Sequence, residues 1–246
     1  MLNEFDSFCQ KEGLVYYLTW GTLLGSIRHN GFIPWDDDID LWMPRSDYNK
    51  LINVFHHPEY SFISMEKDPY FPLCSGKICD PRYSAVDEFG KDFGLYIDIF
   101  PIDGLPESIV KIKRHINRVK RAEKLWSNQV ITSKYAISRD YSLNKNLRII
   151  AAKFLRPFLP IEIVINHYIH SCSLFPFGYS DKVISYDAYL VFDKSIFAST
   201  LYKEFEGRLY PVPVGFDAVL KKVYGDYMKL PPESERISHG IKVYLK

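Results

Sequence analysis

The sequence predicts an α/β protein: a mixed sheet core flanked by helices, with a helical insert. Three observations carry that expectation. Short β-rich runs punctuated by Pro, Gly and Asp recur through the first hundred or so positions. From Pro106 the apolar residues switch to a spacing of three and four. After Asp181 the pattern is mixed again. The expected division is a catalytic core over residues 1–106, a helical insert over 107–180, and a C-terminal part over 181–246 that completes the core. A chain of 246 residues with 47% hydrophobic content is long enough to bury a core of that size.

Taken in order, Leu2, Phe5, Phe8 and Cys9 fall at helical spacing before Gly13, and Leu14 to Thr19 reads as a strand ending at a turn at Gly21. Trp20 to His29 opens a short helix. The aspartate-rich run Asp36 to Met43 is expected as a strand, with Ile39, Leu41 and Met43 on the core face and Asp36, Asp38 and Asp40 on the other. Pro44 to His57 reads as a helix with Tyr48, Leu51, Ile52 and Phe55 on one face and Ser46 as its cap. Further strands are expected around Tyr60 to Met65, Leu73 to Cys79 and Gly94 to Phe100. In the last of these, Leu95, Ile97 and Ile99 share a face and leave Asp98 on the opposite one. Ile109, Ile112, Ile116, Val119, Ala122 and Leu125 mark a long amphipathic helix, followed by helices near Asn144 to Arg156 and Pro160 to Cys172.

Composition excludes several classes. The formal net charge is +1, so bulk electrostatics select neither nucleic acid nor another polyanion. Cys9, Cys74, Cys79 and Cys172 match neither a zinc ribbon nor a dense disulfide framework, which fits reduced thiols. The start Met1-Leu2-Asn3-Glu4 lacks the basic and apolar regions of a secretory signal, and residues 163–180 are too interrupted for a membrane span. A cytoplasmic protein is the expectation. One local patch stands out on the long helix, where Lys111, Lys113, Arg114, Arg118, Lys120, Arg121 and Lys124 share the polar side. It reads either as a solvated face or as a contact with anionic lipid or glycan phosphate.

The chemistry concentrates in Pro34-Trp35-Asp36-Asp37-Asp38-Ile39-Asp40-Leu41, which sets four aspartates within five positions ahead of an apolar run. Like charges crowded this way ask for a divalent cation. A calcium loop is excluded because its glycine and glutamate positions hold Leu41 and Asp47. Asp98 is the candidate third ligand after Asp38 and Asp40. The N–H groups at the start of the preceding helix, around Gly21 and Thr22, suit a phosphate. Lys77 reads either as a charge for a diphosphate or as a solvent-facing edge residue. Arg28 and His29 read either as phosphate ligands or as cations favoured at a helix C-terminus.

The run Trp20-Gly21-Thr22-Leu23-Leu24-Gly25 with Arg28-His29 and Gly31-Phe32-Ile33-Pro34-Trp35-Asp36-Asp37-Asp38-Ile39-Asp40 closely resembles the LicD family, whose relatives include fukutin and the fukutin-related protein. The resemblance continues at Ile97 to Pro106, Phe205-Glu206-Gly207, Tyr224 to Pro232 and His239, and lapses over the helical stretch. It implies a nucleotidyltransferase-like core that transfers a phospho-alcohol from a CDP-activated donor and releases CMP. Phosphocholine on a bacterial cell-surface glycan, such as lipopolysaccharide, capsule or teichoic acid, is the expected product. Ribitol phosphate is the fukutin-like variant, and glycerol and ethanolamine remain open.

On that reading Asp38, Asp40 and Asp98 bind Mg²⁺ or Mn²⁺, with Asp36 tuning or joining them, and Gly21, Thr22 and Gly25 line the phosphates while Arg28 and Lys77 add charge. Either Asp98 or His239 takes the acceptor's proton. A structural zinc is not expected, since no cysteine cluster matches the zinc loop of the fukutin-related protein. The competing readings are nucleotidyl transfer, which releases pyrophosphate, and a catalytically silent nucleotide- or glycan-binding module. The expected partners are a CDP-alcohol and a glycan acceptor, lipid-linked or free, with no nucleic acid. The expected location is the cytoplasm, peripheral to the inner face of the membrane through the basic helix Lys111 to Lys124.

Overall fold

A computed structural model of the chain describes residues 1–71, 73–85, 92–130, 132, 135, 137–139, 141–236, 238 and 243–246. Helix α1 (Leu2–Glu12) buries Leu2, Phe5 and Cys9 and ends on Gly13, whose φ of 62° closes the helix in the left-handed region that glycine adopts without strain. Strand β1 (Tyr17–Leu18) leads into α2 (Trp20–His29), and β2 (Asp40–Pro44) runs directly into α3 (Arg45–Val54). Then come β3 (Ser61–Ser64), β4 (Gly76–Asp80), β5 (Tyr83–Ala85) and the long β6 (Leu95–Gly104). Helices α4 (Ile109–Val130), α5 (Leu143–Leu155) and α6 (Ile161–Cys172) separate β6 from β7 (Lys182–Ser185) and β8 (Leu190–Asp193). A hairpin of β9 (Thr200–Phe205) and β10 (Arg208–Pro213), helix α7 (Phe216–Tyr224) and β11 (Val243–Leu245) complete the described chain.

Among the described residues a seven-stranded mixed sheet runs β1-β2-β6-β4-β3, with β7 pairing β6 and β8 pairing β7. β6 organises it: β2 pairs parallel to residues 98–102, β4 antiparallel to 95–99, and β7 antiparallel to 102–104. One core unites α1, α2, α3 and the sheet around Leu23, Leu41, Trp42, Met43 and Ile97. A second joins α4 and α6 to the sheet through Val119, Trp126, Val164, Tyr168 and Ile184. The mixed α/β class expected from sequence is the one observed.

Three local expectations need correction. β2 begins at Asp40, so Asp36 and Asp38 lie in an irregular loop and do not alternate along a strand, and Leu41, Trp42 and Met43 are all buried because both faces of β2 are covered. Ser46 does not cap α3. Pro44 holds that position, and the Ser46 hydroxyl donates to Asp47 Oδ2 at 3.2 Å. Lys77 is no edge residue, because β4 lies between β6 and β3. The β9-β10 hairpin, within a stretch whose sequence pattern is merely mixed, turns through Glu206 and Gly207 with φ of 51° and 74°. Two successive positive φ values match the twist of paired strands.

Odd and even residues of β6 face opposite ways. Asp98 therefore serves one face, while Asp103 serves the other and binds Arg45, the first residue of α3. Arg45 Nε and Nη2 donate to the two Asp103 oxygens at 2.9 and 2.7 Å, with both residues buried. Burial opposes the Arg45 charge, but the Asp103 carboxylate outweighs it and holds the guanidinium above its usual pKa. This pair ties β2 and α3 to β6. Asp103→Asn would leave a buried guanidinium poorly matched and is expected to cost about 3–5 kcal/mol. Urea unfolding with an unchanged slope and a lowered midpoint is the expected result; an unchanged midpoint would refute the pair's structural role.

Candidate active site

The site forms where β2 starts beside the middle of β6. Parallel pairing sets Asp40 opposite Asp98, and strand residues in register direct their side chains to the same face. The Asp98 N–H donates to the Ile39 carbonyl at 2.9 Å, which extends the ladder into the aspartate loop. From the other side, β4 sets Lys77 opposite Asp98, and Lys77 Nζ lies 2.7 Å from Asp98 Oδ2. The ammonium also sits 3.4 Å from the Tyr96 ring centroid, and Lys77 is only 3% exposed. Lys77 is thus a buried counter-charge for Asp98.

Thr19, at the N-cap of α2, and Thr22 in its first turn hold the backbone at the start of β2. The Thr19 N–H donates to the Asp40 carbonyl at 3.0 Å, and the Asp40 N–H donates to Thr22 Oγ1 at 2.9 Å. The Thr22 hydroxyl therefore positions Asp40 and keeps its own proton to donate. A Cβ on Gly21 would collide with Asp36 Oδ2, so glycine is what lets that carboxylate approach the first turn of α2, where free N–H groups favour an anion. Gly25 has a different role from the one expected. Its amide lies beyond the free donors of the first turn, and its missing Cβ makes room for the Gly31 carbonyl. Trp20 takes a φ of 46°, an uncommon conformation for a bulky residue, with its ring packed edge-on to Trp42 at 5.4 Å.

The β9-β10 hairpin clamps the approach to the aspartate loop. The Ser26 hydroxyl donates to the Glu204 carbonyl at 2.8 Å, the Glu206 N–H to the Asn30 carbonyl at 3.0 Å, and the Phe32 N–H to Glu206 Oε1 at 3.0 Å. At the far end of α2, Arg28 donates to the Tyr227 carbonyl at 2.8 Å and to His29 Nε2 at 2.9 Å. Arg28 lines a cavity of about 440 Å³ with Trp35, Tyr224, Asp226 and Tyr227. The Arg236 guanidinium lies 5.1 Å from the Trp35 ring centroid. Burial, followed by the charges of Asp40, Asp36 and Asp38, pushes the Tyr224 hydroxyl pKa up, which ties this cavity to the carboxylates.

Electrostatics show what the site lacks. Burial raises the Asp40 pKa well above the usual carboxylate range, and the charges of Asp38, Asp98 and Asp36 push it further. Burial also raises Asp98 against the pull of Lys77. Asp98 Oδ1 is buried without a hydrogen-bond partner. Among the described residues no three His, Cys, Asp or Glu side chains converge into a ready-made metal cage. The donor set still fits a hard divalent cation. Its oxygens are carboxylate: Asp98 keeps one buried oxygen unpartnered beside Lys77, and Asp40, which is half-buried, faces three other carboxylates.

Structure thus gathers Gly21, Thr22, Asp36, Asp38, Asp40, Lys77 and Asp98, and sets Arg28 in the adjoining cavity. His239 lies outside the described residues, although the preceding Ser238 donates to Asp37 Oδ2 at 2.7 Å. Sequence reading missed Asp187, a half-buried residue after β7 whose charge reaches Asp40. Nothing in Tyr186-Asp187-Ala188 signals it. The aromatic wall of Trp35, Tyr224 and Tyr227 was also missed, although each residue lies in a motif already noted.

A mixed α/β core with paired carboxylates set against a helix N-terminus defines the class of protein. A family model described as LicD/FKTN/FKRP, nucleotidyltransferase domain, matches residues 13–124. Over 98% of its length the chain is 32% identical to the lipopolysaccharide cholinephosphotransferase LicD of Haemophilus influenzae, covering 92% of that protein. Shorter stretches resemble an uncharacterised protein of Rickettsia prowazekii, at 27% identity over 44% of this chain and 39% of that one, and mannosyltransferase regulator 4 of Saccharomyces cerevisiae, at 34% over 23% of this chain and 5% of that one. The chain belongs to the LicD family.

Asp40→Asn removes one of the crowded charges. It is expected to stabilise the metal-free protein by about 1 kcal/mol, or roughly 2–4 °C in melting temperature, and to abolish the rise in melting temperature expected of the wild type on adding Mg²⁺. The pH dependence has a definite sign. The folded pKa of Asp40 lies above its unfolded value near 3.8. Metal-free stability therefore grows as pH falls through the folded pKa, while the Mg²⁺ increment, which needs ionised carboxylates, shrinks over the same window. Melting curves with and without Mg²⁺ across that range test both; a Mg²⁺ increment retained by Asp40→Asn would refute the assignment.

Proposed function

We propose that the protein transfers phosphocholine from CDP-choline to a cell-surface glycan or its lipid-linked precursor, releasing CMP, with Mg²⁺ or Mn²⁺ at the carboxylates. The observation that carries this is the near full-length likeness to a lipopolysaccharide cholinephosphotransferase, with 32% identity across 98% of the chain. The core on this reading is of the nucleotidyltransferase type.

Asp38, Asp40 and Asp98 would hold the cation, with Asp36 beside them. A bound cation would neutralise charge on the diphosphate as the phosphoryl group moves. The chain's own residues handle the rest. Gly21 and Thr22 offer N–H groups to the phosphates, and Arg28 adds a fixed charge from the cavity wall. Lys77 holds Asp98 in place and limits repulsion from Asp40. Asp98 has a buried oxygen without a hydrogen-bond partner, which leaves a lone pair free to receive the acceptor hydroxyl's proton. Trp35, Tyr224 and Tyr227 supply flat apolar walls that fit the donor's base. A cytoplasmic site, with the basic side of α4 facing an anionic membrane, would place the enzyme near a lipid-linked acceptor.

Incubation with CDP-choline, Mg²⁺ and acceptor glycan is expected to yield CMP and no pyrophosphate; pyrophosphate would instead indicate nucleotidyl transfer. Asp38→Asn, Asp40→Asn and Asp98→Asn are each expected to lower CMP release at least about a hundredfold, the order of loss when a charge-stabilising group is removed. Near-wild-type turnover by any of these variants, at matched folding, would remove that carboxylate from the site. CDP-ribitol, CDP-glycerol and CDP-ethanolamine, run in parallel as thermal-shift ligands, identify the alcohol through mass-action stabilisation.

A further inference from the structure

Helix α5 is amphipathic in an unusual sense: it carries two apolar faces. Ile149 and Ala152 are buried against the protein. Leu143, Leu147, Ile150 and Phe154 are exposed, Leu143 by 76% and Phe154 by 68%, and Phe158 just beyond the helix by 71%. At about 100° per residue, Leu143, Leu147, Ile150, Ala151 and Phe154 span an arc of about 100°, centred opposite the Ile149 and Ala152 side. The exposed apolar stripe therefore points away from the body of the protein. The Phe154 and Phe158 rings lie 5.6 Å apart and form one aromatic projection at its end.

Charge selects what covers this stripe. On the same projection Arg148 and Lys153 lie about 60° beyond its two edges, and Lys145 and Arg156 are exposed as well. From Leu143 to Pro160 the sequence has no Asp or Glu. Apolar stripe, flanking cations and absent carboxylates together match an anionic lipid surface, in which the stripe enters the acyl boundary and the cations reach the headgroups. A protein partner would need no such uniform sign. The exposed side of α4 differs beyond its first turn, since Lys113, Arg114, Asn117, Arg118 and Lys120 have no apolar stripe between them, and charge alone gives weak, salt-screened contact. No described helix is long and apolar enough to cross a membrane.

We propose that α5 is the membrane anchor of this protein, lying in the plane of an anionic bilayer with Leu147, Ile150, Phe154 and Phe158 inserted. This goes beyond the proposed transfer reaction and does not depend on it. The test is co-sedimentation of the full chain with vesicles of phosphatidylglycerol and phosphatidylethanolamine, against vesicles of phosphatidylcholine alone. Wild type is expected to bind the anionic vesicles and not the neutral ones. The triple variant Leu147→Ser, Phe154→Ser, Phe158→Ser is expected to lose at least about a hundredfold in affinity, since each large apolar side chain withdrawn from lipid costs about tenfold or more. Arg148→Gln with Lys153→Gln is expected to weaken binding and its salt dependence together. These positions are exposed, so melting temperatures should match wild type. Three results would overturn the proposal: no vesicle binding by wild type, equal binding by the triple variant, or loss of binding only when Lys113, Arg114, Lys120 and Arg121 of α4 become Gln. A wild-type dimer in sedimentation velocity that the triple variant abolishes would also overturn it, by assigning the stripe to a second copy of the chain.

Discussion

Two carboxylates placed side by side on adjacent parallel strands form the constraint around which this structure is arranged. Asp40 and Asp98 are held in register by β2 and β6, and no choice of side-chain rotamer removes a repulsion that the backbone imposes. The neighbouring strand answers half of it, with Lys77 set directly across from Asp98. Buried charge is tolerable when paired and costly when not. Asp40, facing Asp38, Asp98 and Asp36, carries the remaining deficit, and that deficit is what a cation would relieve.

The rest of the fold keeps those groups from escaping. An aspartate loop free to move would relieve the repulsion by swinging into water. Here its start is held by the Glu206 carboxylate and its end by Thr19, the N-cap of α2, and Thr22 within that helix. The contacts come from segments nearly two hundred residues apart, and Phe205 and Tyr210 of the hairpin pack into the same core as Leu41 and Trp42 of β2. The positive φ of Trp20 fits the same picture, since strained backbone persists where packing over-determines it.

Much of this was legible in the sequence, for physical reasons that can be stated. Alternation of Leu95, Ile97 and Ile99 placed Asp98 on the face it occupies, because burying one face of a strand fixes the other. Alternation does not extend to Asp36 and Asp38, because β2 is short and buried on both faces, and Trp42 reads as apolar whichever way the alternation is set. Lys77 could not be placed because a lysine's position in a sheet depends on strand order, which is non-local information. Gly25 was misread for a related reason: a glycine that accommodates a carbonyl from a later loop looks the same in sequence as one that admits a ligand. Asp187 gave no signal, since its proximity to Asp40 arises only when β7 docks on the end of β6.

β6 also makes its carboxylate-site face and its structural face answer to each other. Asp98 meets Lys77 and Asp40 on one side, and five residues on, with the opposite parity, Asp103 binds Arg45 on the other. Arg45 follows immediately on the last residue of β2, so the ion pair fixes how far β2 can slide along β6. A shift of one residue would exchange the faces of β2 and take Asp40 away from Asp98. The buried pair therefore sets the register on which the carboxylate site depends. An ion pair from the start of α3 to β6 suits that task better than apolar packing, because a bidentate Arg–carboxylate pair demands a more specific geometry than aliphatic side chains do.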